Sequence, residues 1–223
     1  MTKKEYDASH YEHPSVTVDM VIFTIQDDEL KVLLAKRKNW PYKDRWAIPG
    51  GFVRMKESLD DAAKRELYEE THVKDVYLEQ LYAFGDPKRD PRTRVITIAY
   101  YALVKSEDLT ILADTDVKDV KWHSTAKLPK LAFDHEKIVS FALRRLRSKI
   151  LTSNISFQLL PEHFTLTELQ KVYETVLGRP LDKRNFRRKV LSLGVIKETE
   201  EKKLEGRHRP AQLFTFNPEA DLD

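Results

Sequence analysis

Cysteine is absent from the 223 residues. Disulfides and thiolate metal sites are thereby excluded, and a reducing compartment is compatible with the chain. Long apolar runs are missing too. None approaches the roughly 20 residues a membrane-spanning helix requires, and the opening MTKKEYDASHYEHPS has no apolar core like that of a signal peptide. A soluble, cytoplasmic protein with no membrane partner is the expectation. Charge of one sign is not in excess either: the formal net charge is +3, so no strong overall field points to nucleic acid or membrane, although local patches can hide in so small a total. There is no internal repeat and no low-complexity tract. What is present suffices for a core, with 41% apolar and 10% aromatic residues in a length that suits one large domain or two modest ones.

SVTVDMVIFTI (residues 15–25) is rich in β-branched residues and reads as a buried strand, and LKVLLAKR follows it after the polar break QDDE as the second arm of a hairpin. NWPYKDRWAIPGG suits a structured loop. YLEQLYAFG and RVITIAYYALV read as strands around the charged turn DPKRDPRT, and DVKWHS reads as a short strand. Asp134 is placed to cap a helix whose apolar positions Ile138, Phe141, Ala142 and Leu146 follow helical spacing. Strands and helices mix from about Ser15 to Ile150, which predicts an α+β or α/β domain over residues 1–150. The texture changes over residues 151–223. LTSNISFQLLPEHF reads as a connector. FTLTELQKVYETVLG predicts a helix with Thr165 or Thr167 near its start and Gly178 as its stop. DKRNFRRKVLSLG predicts a second helix, capped by Asp182 and ended by Gly194, and two strands follow around a turn at Gly206. Helix, turn, basic helix and hairpin outline a winged helix-turn-helix.

The most unusual stretch is GGFVRMKESLDDAAKRELYEETHV, residues 50–73. Its helix begins at Ser58, a good N-cap, with Asp60 and Asp61 complementing the positive end. Glu66, Glu69 and Glu70 stand at i, i+3 and i+4 and project from one face. Such a run is either a solvated charged face or, where a cation relieves the repulsion, a site for a hard divalent ion. Arg65 is placed to hold one carboxylate by a bidentate bond.

Read together, Gly51, Glu57, Arg65-Glu66, Glu69-Glu70 and the apolar Val73 resemble the Nudix box of the MutT-like family, with one departure: His72 replaces the final glycine. Histidine visits the left-handed backbone region less readily than glycine does. RWAIPGGFV is similar to the entry to the box in Nudix proteins of the ADP-ribose pyrophosphatase type. The resemblance implies a Nudix fold, a mixed sheet between helices, and Mg²⁺- or Mn²⁺-dependent hydrolysis of a nucleoside diphosphate linked to another group. It makes Glu66 and Glu70 the principal metal ligands, Glu69 a third ligand or an aid to water activation, and Arg65 the residue that orients them. Glu57 becomes a supporting ligand and Gly51 offers its carbonyl.

Lys88, Arg89, Arg92 and Arg94 in the turn DPKRDPRTR are candidate phosphate contacts, against the plainer reading of a solvated turn. Phe84, Trp40 and Tyr42 are candidates to stack on a base, and each is more often packing. His123 and His135 are isolated in sequence, which favours hydrogen bonding or capping over metal binding. In the C-terminal part, Lys183, Arg184, Asn185, Arg187, Arg188 and Lys189 lie on the short basic helix, with Phe186 and Val190 as its buried face, and Arg207, His208 and Arg209 lie at the hairpin tip. These are the places where a winged helix meets double-stranded DNA; a solvated basic helix is the alternative. A Nudix domain followed by a winged helix resembles the NrtR-type and AraR-type Nudix transcriptional regulators. That resemblance implies a homodimer on an operator, with a nucleotide or sugar sensed in the Nudix pocket. A hydrolase acting on ADP-ribose or a related nucleotide is the competing expectation.

Overall fold

Strand β1 (Ser15–Gln26) is buried at eight consecutive positions. A run covered on both faces belongs in the middle of a sheet with a layer on either side. The computed structural model, which describes residues 8–74, 76–105, 117–204 and 210–220, places it there. β1 forms an antiparallel hairpin with β2 (Glu29–Arg37) and runs parallel to β6 (Val95–Leu103). Asp27 and Asp28 make the hairpin turn with φ of 54° and 62°, the primed geometry that matches strand twist. β5 (Tyr77–Phe84) pairs antiparallel with β6, β3 (Trp46–Ala47) and β7 (Val117–Ser124) pair with β2, and β4 (Gly50–Phe52) pairs with β1. The result is a mixed sheet of seven strands.

The two faces of β1 follow from strand alternation. Val18, Met20 and Ile22 pack with Ala62, Ala63 and Leu67 of helix α1 (Leu59–Thr71). Val21 and Phe23 belong to the cluster that contains Ile138, Ala142 and Leu146 of helix α2 (His135–Lys149). A helix therefore covers each face, the α+β arrangement expected. Asp134 occupies the N-cap position of α2 but makes no capping bond; its carboxylate is taken by Arg89 instead. Phe141 is half-buried and stacks on Tyr82 at 5.2 Å.

The expected connector is a packed element. Residues Asn154–Leu159 form a 3-10 turn, and Ile155, Leu159, Leu160 and Phe164 join the same apolar cluster as the inner face of α2. A turn this short shows no period in sequence, which hid its burial. Helix α3 (Leu166–Leu177) opens on a capping box between Thr165 and Glu168 and closes on Gly178 at φ 68°. Helix α4 (Lys183–Ser192) is capped by Asp182, whose carboxylate accepts from Asn185 N at 2.8 Å. β8 (Ile196–Lys203) and β9 (Ala211–Phe216) form an antiparallel hairpin, and Phe164 and Phe214 exchange both backbone bonds in an antiparallel bridge on the other edge of β9. This is a winged helix. Among the described residues no helix is long and apolar enough to cross a membrane.

Candidate functional site

The box is assembled where β4 meets α1. Glu66 is buried on the inner side of α1, and its carboxylate uses the space that a glycine leaves: a Cβ on Gly51 would fall on Glu66 Oε1 and lie 2.8 Å from Cδ. Arg65 braces the group. Its Nε and Nη2 donate to the two oxygens of Glu57 at 3.0 and 2.7 Å, and its Nη1 donates to Glu66 at 2.6 Å and Glu69 at 3.2 Å. Glu57 also accepts from Arg54 N at 2.8 Å. The Arg65 guanidinium and then that backbone bond bring the Glu57 carboxyl down to about 2. Burial pushes the Glu66 carboxyl up against the opposing pull of Arg65. Oε2 of Glu70 is shielded from solvent.

These residues fit a hard divalent ion. Every donor is an oxygen, the Gly51 backbone lies bare against Glu66, and Glu57, Glu66 and Glu69 gather around the Arg65 guanidinium, with Arg54 3.8 Å from Glu69. As placed, the Arg65 guanidinium sits among them, and no three acidic or imidazole groups among the described residues surround a common point. Both oxygens of Glu57 are engaged by Arg65.

A cavity of about 130 Å³ opens beside the box and shares Gly50, Gly51 and Phe52 with it. Its floor is a buried ion-pair chain: Arg89 donates to Asp19 at 3.1 Å and to Asp134 at 2.8 and 3.1 Å. Its wall is Phe133, held at φ 51°, with Arg37 at 4.8 Å and Arg92 at 5.7 Å from the ring; Arg92 also lies 5.6 Å from Phe52. Asp90 fixes Arg92 from behind through bonds of 2.7 to 3.3 Å. His135 accepts from Ile48 N at 3.1 Å through Nδ1, so that nitrogen carries no proton, and burial holds the pKa of the ring down.

Of the turn residues singled out in sequence, Arg89 and Arg92 line this cavity. Arg94 does not: its Nη1 donates to the Gly85 carbonyl at 2.8 Å, outside the lining. Lys88 faces solvent. Arg89 and Asp90 are both under 10% exposed, which rules out a plain solvated turn. Trp40 is exposed and Phe84 is core, while Tyr42 supports Phe133 edge-on at 4.9 Å. Sequence reasoning missed Asp19, Arg37, Asp90 and Phe133 and set His135 aside. A larger cavity, about 430 Å³, lies between residues 151–154, α3 and α4, and no box residue lines it.

On α4, Phe186 and Val190 are buried, and Lys183, Arg184, Asn185, Arg188 and Lys189 are exposed, as expected. Arg187 departs from expectation. It is half-buried, and its Nη2 donates to Thr167 at 3.2 Å, because its position flanks the face that packs on α3. Arg188 reaches Asn185 at 2.9 Å. Arg207, His208 and Arg209 lie outside the described residues. The adjoining strand β8 is charge-balanced, with Glu198, Glu200 and Glu201 against Lys197, Lys202 and Lys203.

Two family models match the chain: the NUDIX domain over residues 14–141 and the NrtR DNA-binding winged helix domain over residues 156–216. The chain is 41% identical over 216 residues to the ADPR responsive transcriptional repressor NtrR of Acinetobacter baylyi, covering 95% of this chain and 86% of that protein. Shewanella oneidensis NrtR complexed with a 27mer DNA is similar in structure, with a TM-score of 0.81 and 40% identity over 91% of this chain and 94% of that one. The NUDIX domain of the same Shewanella protein, complexed with ADP ribose, matches with a TM-score of 0.58 and 39% identity over 66% of this chain and 99% of that one.

Proposed function

The chain belongs to the Nudix family, and we propose that it is an ADP-ribose-responsive transcriptional repressor whose Nudix part holds the effector and whose α4 reads an operator. One observation carries this reading. A pocket built for an anionic, ring-bearing ligand and an exposed cationic helix are fixed on one continuous apolar cluster. Arg89 and Arg92 reach the pocket already paired with Asp19, Asp134 and Asp90 and so offer it fixed donors, while Arg37, whose pKa is held down by burial and then by Arg92, is the guanidinium that a diphosphate relieves. The cations of α4 meet phosphates, and the helix lies in the major groove as in other helix-turn-helix proteins. A homodimer on a two-fold operator follows from that mode of reading.

In this reading Gly51, Glu66, Glu69 and Glu70 hold Mg²⁺ or Mn²⁺, and Arg65 and Glu57 orient them. A divalent cation there neutralises the diphosphate and lowers the pKa of a bound water. The intact set of box carboxylates favours a second activity of the same site, hydrolysis of ADP-ribose or a related nucleotide.

The test is fluorescence anisotropy on DNA from upstream of the gene, over a salt series, with and without ADP-ribose. Tight, sequence-preferring binding that weakens with salt and responds to ADP-ribose supports the repressor. Binding no better than to unrelated DNA counts against it. Hydrolysis is read by turnover in the presence of Mg²⁺, which is expected to vanish in Glu69→Gln and in Glu70→Gln; turnover that survives both changes removes α1 from the chemistry.

A further inference from the structure

The effector pocket and the DNA-reading helix are different parts of the chain, and the contacts between them fall on a narrow seam. Helix α2 begins at the pocket: Phe133 and His135 line it, and Asp134 between them holds the lining residue Arg89. It continues for 15 residues without glycine or proline, about 22 Å of rigid rise. At its far end Arg147 Nε donates to the Val176 carbonyl of α3 at 3.0 Å. Val176 lies in the last turn of α3, where carbonyls lack intrahelical partners. A cation there also opposes the negative end of the helix. Arg147 is thus the C-terminal cap donor of α3, supplied by another helix.

A second path ends on the same stretch of α3. β1 and β2 carry Asp19 and Arg37 into the pocket, and their hairpin turn touches α3 at the opposite end: Lys171 Nζ lies 3.3 Å from the Asp28 carboxylate, and Thr175 Oγ1 donates to the Asp28 carbonyl at 3.5 Å. Between the two paths the contact is apolar and continuous, through Leu146, Ile150, Ile155 and Leu159. α3 in turn carries α4 through Tyr173 and Phe186, whose rings are 5.2 Å apart. Packed contacts of this kind shift between discrete arrangements rather than bending smoothly.

We propose that the face of α3 bearing Lys171, Thr175 and Val176 is the surface on which pocket occupancy is passed to the DNA-reading helix, with Arg147 and Asp28 as the coupling residues. The proposal rests on the repressor reading above. Neither residue touches the pocket or the exposed face of α4, so each is separable from binding itself.

The experiment measures DNA affinity by anisotropy with and without saturating ADP-ribose, in the wild type, R147A, D28A and the double variant. Coupled sites show ratios of about 5- to 150-fold. In the double variant the ratio is expected to fall to within about twofold of one, while the affinities for ligand-free DNA and for ADP-ribose alone stay close to wild type. By reciprocity, the ADP-ribose affinity measured with and without DNA must lose the same factor. S140A, exposed on the same helix, is expected to keep the wild-type ratio. If R147A fails to fold, R147M decides, because it keeps the aliphatic stem and removes every donor to the Val176 carbonyl. A double variant that retains the wild-type ratio overturns the seam alone. A wild-type ratio of one overturns the repressor reading and the seam with it.

Discussion

Helices α1 and α4 both concentrate charge on one short helix, and they dispose of it in opposite ways. On α1 the charge is braced before any ligand arrives: Arg65 joins Glu57, Glu66 and Glu69, and the participating side chains of Arg65, Glu57 and Glu66 are less than a fifth exposed. On α4, Lys183, Arg184 and Lys189 are exposed, and Arg188 donates to the neighbouring Asn185. The difference follows from what each site meets. A small anion in a pocket rewards side chains whose rotamers are already fixed, since little entropy is lost on binding. A phosphate backbone rewards solvated cations, because the release of its counterions supplies the driving force.

The largest expected effect comes from removing the brace. Arg65→Ala leaves Glu66 buried beside Glu69 without its cation, and losing one partner of such a pair costs about 3 kcal/mol. Thermal unfolding should show the loss, and ADP-ribose binding should fall with it; an unchanged melting temperature would mean that α1 tolerates unbalanced charge as freely as α4. The converse change belongs to α4. Arg184→Ala with Arg188→Ala should leave stability within about 0.5 kcal/mol of wild type. DNA affinity should drop by about 2 kcal/mol, and the salt dependence should become shallower by about two counterions. Anisotropy over a salt series, with urea unfolding alongside, separates the two effects.

A braced carboxylate in the C-terminal part sharpens the contrast, because it stands at the start of α3 and away from α4. Glu168 closes the capping box with Thr165 and meets Lys203 at 2.6 Å. Burial would raise its carboxyl, but Lys203 and the Thr165 backbone outweigh burial and hold it below its ordinary value. A depressed folded-state pKa means that the stabilisation is complete above the unfolded value, near ~4.3, and is lost as pH falls through the lower folded value. Glu168→Gln should cost about 1 kcal/mol at neutral pH. It should also remove that acid-dependent loss, read by unfolding titrations of both proteins between pH 3 and 6, roughly spanning the carboxylate range.

What could be read in sequence was whatever one helix or one turn decides by itself. The shared face of Glu66, Glu69 and Glu70 follows from spacing along α1, the rest of the box from its resemblance to the Nudix pattern, and the caps at Ser58, Thr165, Asp182 and Gly178 from local chemistry. The pocket was only half legible because β1, β2, the turn before β6 and the segment before α2 each contribute one to three residues to it. Asp19 and Arg89 meet only once β1 and that turn are folded together. Nothing local announces that Phe133 takes a positive φ, or that Arg92 and Arg94, two residues apart, part company: one is taken up by Asp90 and the other by the Gly85 carbonyl. Arg187 misled for a related reason. A basic residue flanking a buried stripe has two directions available, and packing against α3 chose the inward one.

The smallest predicted effect compares the far ends of two helices. α1 and α3 finish alike, with a left-handed residue whose N–H bonds the carbonyl four positions back, both at 2.8 Å: His72 to Tyr68 and Gly178 to Glu174. Geometry is shared and the residue is not. A side chain in that conformation costs about 1–2 kcal/mol that glycine avoids, whereas glycine loses more freedom on folding. His72 also rests against the Tyr68 ring at 5.4 Å, a contact glycine would give up. The net expectation for His72→Gly is a gain of about 0.5 kcal/mol. Gly178→Ala should cost about 1 kcal/mol for the backbone alone, because its added Cβ meets only Arg147 Nη2 at an ordinary 3.6 Å. Urea midpoints with unchanged m-values measure both. A loss in His72→Gly would show that the imidazole holds the loop after the box in place more strongly than its backbone strain opposes it, and would make His72 part of the brace that distinguishes α1 from α4.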